Sequence, residues 1–498
     1  MDYRTLTALE LGALLREGSL SAAGAAKAGL DRLAQAQSRS NAFITVTKED
    51  AMLRADQVQR LLDARRAPSP LAGVPMAFKD SICTRGVKTS CASKILGGFT
   101  PPYDATVVER LDAAGCISLG KLNMDEFAMG STTETSFYGP VQNPWDPSRV
   151  PGGSSGGAAA AVAEGSVWYA IGSDTGGSIR QPAAYCGVTG MKPTYGTVSR
   201  YGLIAYASSL DQMGPIARSA ADCAAVLDVI QGRDPRDGTS LDAPAGGLLS
   251  GLTGDVRGKR IGLPADCFGD GLDGEVRAAV LAAADVLKQR GAVVEEFSLP
   301  VMQYVVPTYY IIAAAEASSN LSRFDGVKYG WRAQGYEDLT DLYSKTRTEG
   351  FGAEVKRRIL LGTFVLSTGY YDAYYKKALQ VKALIKRAFD EAFRRYDLLL
   401  TPVAPTTAPK LGESLNDPLQ MYLSDIYTVS VNLAGLPGIS VPCGFASDGM
   451  PIGAQLIGPA LGDAAVLDAA HAFQLETDHH KRTPPLPGQA AQKGGDAQ

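Results

Sequence analysis

The sequence predicts an α/β protein built around a central mixed β-sheet. Short apolar runs that indicate buried strands alternate along the chain with amphipathic stretches at helical spacing. Hydrophobic residues make up 45% of the chain and charged residues 20%, which is typical of a globular protein. Strands that alternate with helices favour one layered α/β architecture, so helices should pack against the sheet.

The elements of the first half can be predicted in order. Leu and Ala recur at helical spacing from about residue 5 to residue 65, which predicts a mainly helical segment. Buried strands are expected at 71–79, 116–120 and 167–171. A helix is expected at 156–163, with its N-terminus against a serine-rich loop where the helix dipole favours negative charge.

The second half continues the alternation. Ser219 and Asp222 resemble a capping box that starts a helix running to Val229. A second helix is expected at 275–290, ended by Gly291, and Asp448-Gly449 predicts a hairpin turn. The strands predicted for this half are 259–263, 293–297, 398–402, 438–441 and 452–456.

Charge, cysteine usage and hydropathy exclude several classes of protein. A net charge of −4 gives no reason to expect that the chain binds nucleic acid unaided. Seven scattered cysteines without a CxxC pair argue against a disulfide framework and a zinc site, so we expect no metal and a reducing cytoplasm. The charged N-terminus predicts an amphipathic helix instead of a signal peptide, and the most apolar runs are too short to span a bilayer.

Two serine-glycine loops in the middle of the chain are the main functional candidates. The first spans 152–157 and the second 172–178, and each alone is most simply a tight turn. A phosphate cradle is weakly supported, because neither loop matches a Walker A or dinucleotide-binding pattern. Together the loops favour acyl transfer, with Ser178 as nucleophile. The oxyanion hole would be the N–H groups of Thr175, Gly176, Gly177 and Ser178.

The general base for such a nucleophile is predicted to be a lysine. All three histidines lie within the last thirty positions, far from both loops in sequence. Lys79 ends an apolar run; alone it would be interpreted as a solvated charge at a strand end. In a buried site beside two serines, desolvation would favour its neutral amine, which could accept a proton from Ser154 while Ser154 accepts one from Ser178.

Lys79, the Gly-Gly-Ser-Ser-Gly-Gly loop and Gly-Ser-Asp-Thr-Gly-Gly-Ser-Ile-Arg resemble the amidase-signature family over roughly residues 65–220. The resemblance implies a central mixed, twisted β-sheet flanked by helices on both faces. It also implies a Ser-cisSer-Lys triad in which Ser178 forms the acyl ester, Ser154 follows a cis peptide and shuttles the proton, and Lys79 is the base.

The second half is similar to the glutaminase subunits of tRNA-dependent amidotransferases, a branch of this family. The similar stretches are 316–330, 352–364, 422–429 and 432–437. The resemblance implies that Arg358 holds the carboxylate of glutamine, that Asp425 holds its ammonium and that Tyr309 adds a hydroxyl contact. Taken singly, these residues would be a surface ion pair, a helix-end charge and a core tyrosine.

The resemblance implies a heterotrimer that converts Glu-tRNA(Gln), Asp-tRNA(Asn) or both. One partner, the B subunit, would use ATP and Mg²⁺ on the misacylated tRNA, the small C subunit would brace the pair, and this chain would bind no cofactor. The alternatives are a free-standing amidase acting on small or aryl amides, which shares the triad, and a non-catalytic scaffold. A scaffold would have no need of Lys79, Ser154 and Ser178.

We expect one domain over residues 1–482. It would comprise a helical segment to 65, a catalytic core at about 65–220 and a substrate-pocket half at 221–482, and residues 483–498 are predicted to be a disordered tail. The Tyr- and Lys-rich stretch 370–387 could suggest nucleic-acid stacking. An amphipathic helix with apolar residues at 379, 381, 384, 385 and 389 is favoured instead. Cys186 is predicted to be a buried small hydrophobe.

Overall fold

The computed structural model describes residues 3–243, 246–416 and 418–485. Its centre is an eleven-stranded sheet in the order β1-β3-β2-β4-β6-β5-β10-β11-β9-β7-β8. The strands are β1 Phe43–Val46, β2 Pro75–Lys79, β3 Ile117–Leu122, β4 Tyr169–Asp174, β5 Thr189–Lys192, β6 Gln212–Ala217, β7 Arg260–Pro264, β8 Val293–Phe297, β9 Leu398–Pro402, β10 Gly438–Phe445 and β11 Pro451–Ile457.

Helices flank this sheet and come from every part of the chain. They are α1 Ala8–Arg16, α2 Ala22–Ser40, α3 Lys48–Asp63, α4 Thr106–Ala113, α5 Gly156–Glu164, α6 Arg180–Cys186, α7 Ala220–Ile230, α8 Gly274–Gln289, α9 Val305–Asn320, α10 Leu339–Gly350, α11 Ala353–Leu366, α12 Lys377–Ala392, α13 Glu413–Asn416, α14 Pro418–Leu423, α15 Val429–Leu433 and α16 Asp463–Glu476. One core cluster includes side chains from Ala8 through Phe473.

The sheet is mixed, which confirms the predicted fold class. Strand β2 pairs in parallel with both β3 and β4, and β7 pairs in parallel with β8 and β9. The other described pairs are antiparallel, including the β10–β11 hairpin predicted around Asp448-Gly449. Gly449 has φ 83°, and its N–H donates to Ala446 at 2.8 Å, so this turn uses glycine's access to the left-handed region.

Local sequence signals account for several boundaries. The Ser219 side chain accepts the N–H of Asp222 and caps α7, as the sequence predicts. Thr7 forms a complete capping box with Glu10 at the start of α1.

Some element predictions were wrong. The N-terminal segment is not helical throughout, because β1 lies between α2 and α3 and pairs with β3 at the edge of the sheet. Its four residues are too few to show a clear alternation. Strand β2 begins at Pro75 instead of residue 71, because the preceding residues form turns in which Gly73 donates to Gly115 at 2.8 Å.

The stretch 370–387 also differs in detail from the prediction. A π-helical turn, Tyr371–Lys376, precedes α12, whose buried residues include Ala378, Ile385 and Phe389. Leu379 and Leu384 are 39% and 53% exposed, so they do not lie on the buried face as predicted. These buried residues lie seven and then four positions apart, so the buried face of α12 is narrower than predicted and does not include the two leucines.

The remaining structural expectations concern cysteines, membranes and the tail. Cys186 is fully buried, as predicted, and all seven cysteines are buried thiols. No helix among the described residues is long and apolar enough to cross a membrane. Residues 483–485 have no regular secondary structure, and the rest of the predicted disordered tail lies outside the described residues.

Candidate active site

Lys79 is the last residue of β2, and the sheet topology brings it to the serine loops. Because β2 and β4 are parallel neighbours, their carboxyl ends meet at the same edge of the sheet. The second serine loop begins where β4 ends, at Asp174. Lys79 therefore projects into the space between the two loops, with its side chain fully buried.

The Lys79 ammonium group contacts serines from both loops. Its Nζ lies 2.7 Å from Ser154 Oγ, 2.9 Å from Ser173 Oγ and 3.4 Å from the Ser173 carbonyl. Burial lowers the pKa of Lys79 to about 7, although Asp125, Asp174 and Asp211 act in the opposite direction. A substantial neutral fraction at neutral pH makes this amine able to accept a proton.

Ser154 lies in a tightly enclosed loop. The Gly153–Ser154 peptide bond is cis, as the resemblance implies. The Gly153 N–H donates to Gln181 Oε1 at 2.9 Å. A Cβ at Gly153 would lie 2.1 Å from Asp125 Oδ2, so only glycine fits here. Helix α5 begins two residues after Ser154 and directs its N-terminus at this loop.

Ser178 is the most accessible member of the predicted triad. It is 8% exposed, whereas Lys79 and Ser154 are 0% exposed. The Ser155 N–H donates to the Ser178 carbonyl at 3.1 Å and joins the two loops. Of the three side chains, the proposed nucleophile is therefore the one that solvent reaches, and the base is fully enclosed. A direct Ser178–Ser154 hydroxyl contact is not seen among the described residues, so the proton relay stays a prediction.

Asp174 holds the nucleophile loop in shape. Its carboxylate accepts two bonds from Arg180, each at 3.0 Å, and the N–H of Gly177 at 2.8 Å. Burial alone would raise the pKa of Asp174, but the Arg180 guanidinium lowers this pKa to about 2. Asp174 is therefore a fixed anion that orients the backbone of this loop.

This arrangement corrects one part of the oxyanion-hole prediction. The Gly177 N–H is directed to Asp174 and is not free to bind a substrate oxygen. The N–H groups of Thr175, Gly176 and Ser178 form no hydrogen bond in the part of the chain that the structure describes. Three of the four predicted donors thus remain available for an oxyanion.

Arg358 lies on α11 in a pocket of tyrosines. Its side chain is 3% exposed, and its guanidinium carbon is within 5.6 Å of the ring centres of Tyr206, Tyr310 and Tyr422. Nη1 donates to Tyr206 Oη at 2.7 Å and Nε donates to Glu354 Oε1 at 2.8 Å. Arg358 is therefore a buried, oriented cation and not a surface ion pair.

Asp425 contacts the hydroxyl group of the same Tyr310 whose ring lies against Arg358. Its Oδ2 accepts hydroxyl bonds from Ser131 at 2.7 Å and Tyr310 at 3.0 Å. Burial raises the pKa of Asp425 to about 7. An ammonium group bound beside this carboxylate would favour the charged form of Asp425, because a nearby opposite charge stabilises an ionised group.

Tyr309 connects the Arg358 pocket with the nucleophile loop. A Cβ at Gly176 would lie 2.5 Å from Tyr309 Cζ, so the phenol ring packs directly on the predicted oxyanion loop. The Tyr309 ring also packs edge-on against the Tyr310 ring, with centres 5.0 Å apart, and Arg358 lies over Tyr310. The structure therefore brings Tyr309, Arg358 and Asp425, from three segments far apart in sequence, together around Tyr310, and Tyr309 lies against the nucleophile loop.

Several residues of this site were missed in the sequence, among them four that contact the predicted side chains. Ser173 contacts Lys79, Ser131 and Tyr310 contact Asp425, and Tyr206 contacts Arg358. Ser173 lies inside the second serine loop and Tyr310 directly follows Tyr309, and these positions are the signal that could have identified them. Ser131 and Tyr206 lie in loops with no distinguishing pattern.

Comparisons with known proteins agree with this geometry. A family model for amidases matches residues 25–467. The chain is 59% identical to the A subunit of glutamyl-tRNA(Gln) amidotransferase of Agathobacter rectalis, over 97% of this chain and 96% of that protein. A Moorella thermoacetica protein of the same name is 56% identical over 98% of this chain and 99% of its own length.

A solved structure extends this similarity to the fold. It is the crystal structure of the A subunit of glutamyl-tRNA(Gln) amidotransferase from Thermotoga maritima, with a TM-score of 0.79 and 41% identity. The alignment covers 97% of this chain and 98% of that one. On its sequence, its fold and the arrangement of its serine loops, the chain belongs to the amidase family.

Proposed function

We propose that this chain is the glutaminase subunit of a tRNA-dependent amidotransferase and that it releases ammonia from glutamine. The observation that carries the proposal is a buried cation, Arg358, and a buried carboxylate, Asp425, which both contact Tyr310. Thr428, three residues after Asp425, donates to the Gly176 carbonyl at 2.6 Å and joins this pocket to the nucleophile loop. Free glutamine has a carboxylate and an ammonium on one carbon, and a side-chain amide that can extend to the nucleophile. The relatives named as the A subunit of glutamyl-tRNA(Gln) amidotransferase support the same activity.

The proposed reaction has two halves. Ser178 Oγ attacks the amide carbon of glutamine while its proton passes to Ser154 and the Ser154 proton passes to Lys79. The N–H groups of Thr175, Gly176 and Ser178 hold the oxyanion, and the C–N bond breaks as Lys79 returns a proton through Ser154 to the departing ammonia. Water then attacks the glutamyl ester by the same proton path and releases glutamate.

The ammonia would be used by partner subunits. The proposal includes a B subunit that activates misacylated tRNA with ATP and Mg²⁺, and a small C subunit that braces the complex in the cytoplasm. Support for a multi-subunit enzyme comes from relatives that are named as subunits. Purification of the chain from its native host, with identification of co-eluting chains, tests this part. Recovery of the chain alone would contradict it.

The closest rival function is a free-standing amidase, which would share the triad and differ in the pocket. The test compares kcat/KM for glutamine with kcat/KM for a neutral amide in wild type, Arg358→Ala and Asp425→Ala. Each charged contact is worth about 1.5–3 kcal/mol, so either change should lower glutamine use by roughly ten- to a hundredfold. A neutral amide cannot use these contacts and should be affected far less. If the ratio of the two values does not change in either variant, the free-standing amidase is the better assignment.

A further inference from the structure

The carboxylate of Glu354 lies at the centre of the contacts that surround Arg358. Its Oε1 accepts from Arg358 Nε at 2.8 Å and from Tyr422 Oη at 3.0 Å. Its Oε2 accepts from Arg357, which lies toward solvent on the same helix. Glu354 itself is 6% exposed, and it was not among the residues predicted from the sequence.

This contact differs from an ordinary ion pair on a helix. An i, i+4 pair of opposite charges on a helix surface is common and contributes little to stability. Here both side chains are nearly inaccessible, at 4% and 5% exposure, and burial of a charged pair carries a desolvation cost. A third donor, Tyr422, reaches the same carboxylate from α14, so both helices converge on one interaction.

The contact also limits which N–H groups of Arg358 can bind a substrate. Glu354 occupies Nε and Tyr206 occupies one position on Nη1. Nη2 has no hydrogen-bond partner among the described residues. The N–H groups of Nη2 and the second N–H of Nη1 are therefore left to bind a carboxylate, which a guanidinium can hold with two parallel bonds.

Glu354 is further connected to the opposite side of the pocket. The Tyr422 ring packs on the Tyr310 ring with centres 4.0 Å apart, and the Tyr310 hydroxyl donates to Asp425. Around the substrate position there are thus two carboxylates, Glu354 and Asp425, and one guanidinium, Arg358. Arg357 adds a second guanidinium on Glu354, so with both carboxylates ionised these four charges balance before a substrate arrives.

We propose that Glu354 is a positioning and specificity residue, which aims Arg358 at the substrate carboxylate and makes the pocket reject amides that carry a carboxylate without an ammonium. The proposal rests on the glutaminase function proposed above and deepens it. A zwitterion leaves the local charge unchanged, whereas a monoanionic amide adds one negative charge to a balanced set. The relevant class of substrate is therefore an α-amino acid amide, and not simply a carboxylate-bearing amide.

The test uses glutaramate, which is glutamine without its amino group, together with a neutral amide and glutamine itself. Steady-state kcat and KM are measured for all three in the assembled enzyme. Wild type is compared with Glu354→Gln, Glu354→Asp and a matched control, Asp390→Asn. Asp390 forms an exposed i, i+4 pair with Lys386 on α12, so its replacement makes the same acid-to-amide change in a helical ion pair away from the pocket.

Glu354→Gln should raise KM for glutamine with little change in kcat, and the preference for glutamine over glutaramate should fall by roughly tenfold, because a negative charge is lost. Glu354→Asp should also raise KM for glutamine, since its carboxylate is one methylene further from Nε, but should keep the preference. The neutral amide should respond little to either change, and Asp390→Asn should resemble wild type.

Several results would overturn this inference. One is an unchanged preference for glutamine over glutaramate in Glu354→Gln. Another is a parallel loss of activity toward all three amides, because a purely structural role would produce such a loss. If Glu354→Gln does not fold, Glu354→Asp tests the positioning role instead. An unchanged KM for glutamine in Glu354→Asp would overturn that role. A wild type that hydrolyses the neutral amide but not glutamine would instead contradict the proposed function itself, so the two failures can be told apart.

Discussion

The pH dependence of glutamine hydrolysis follows from two buried groups in the site. Lys79 must be neutral to accept a proton, and its pKa is about 7 because burial disfavours the ammonium. Asp425 must be charged to hold the glutamine ammonium, and burial raises its pKa to about 7. Lys79 and Asp425 are each active in the deprotonated form. The kcat/KM for glutamine should therefore rise as the pH increases through about 7 and fall as the pH decreases below it.

The structure also predicts how steep this rise should be. With two groups that must both lose a proton, kcat/KM for glutamine should fall by up to about a hundredfold per pH unit well below 7. A neutral amide does not need Asp425, so its kcat/KM should fall by only about tenfold per unit. A lysine with its ordinary pKa of 10.5 would be about a thousandfold less neutral at pH 7 than Lys79 is.

The assay measures initial rates of ammonia release at low substrate concentration between about pH 5 and pH 8, for glutamine and for a neutral amide. Asp425→Asn should reduce the glutamine slope to that of the neutral amide, because only Lys79 still titrates. A flat profile for both substrates across this range would refute the assignment of Lys79 as a buried base. Equal slopes for the two substrates in wild type would refute the role of Asp425.

Two other predictions concern the triad. Ser178→Ala should abolish glutamine hydrolysis, while transamidation driven by free ammonia should persist in the assembled complex; equal loss of both reactions in an intact complex would contradict the proposed division of labour. Lys79→Ala and Ser154→Ala should each lower turnover by about 10²–10⁴-fold, since that is the usual contribution of general-base catalysis. A variant without His471, His479 and His480 should keep nearly full turnover, and a large loss there would argue against a lysine base.

Much of the fold could be predicted because its elements carry local signals. The β10–β11 hairpin has a turn pair between two apolar strands, and α7 begins at a serine cap. Strand β1 was missed because its position depends on pairing with β3, a contact with residues far along the chain. The faces of α12 were partly misassigned for a similar reason, since the packing of neighbouring elements decides which apolar side chains are buried.

The catalytic residues could be predicted because they stand in dense motifs, and the residues that support the pocket could not. Ser154 and Ser178 lie in two serine-glycine loops that are distinctive when taken together, and these loops with the segment of Lys79 resemble the amidase-signature family. Ser131 and Glu354 contact Asp425 and Arg358 only through the tertiary fold. The direction of a single backbone N–H group also cannot be predicted from a sequence. For this reason the Gly177 N–H was assigned to the oxyanion hole, whereas in the structure it donates to Asp174.

The most direct test of the central claim is to identify the covalent intermediate. Wild-type enzyme mixed with glutamine, quenched in acid during turnover and digested, should yield a peptide that contains Ser178 and carries a glutamyl ester. The same peptide from Ser178→Ala should be unmodified, and the ester in wild type should disappear once the glutamine is consumed. A glutamyl ester on any other side chain, or rapid glutamine turnover with Ser178 unmodified in every sample, would contradict the account of this site.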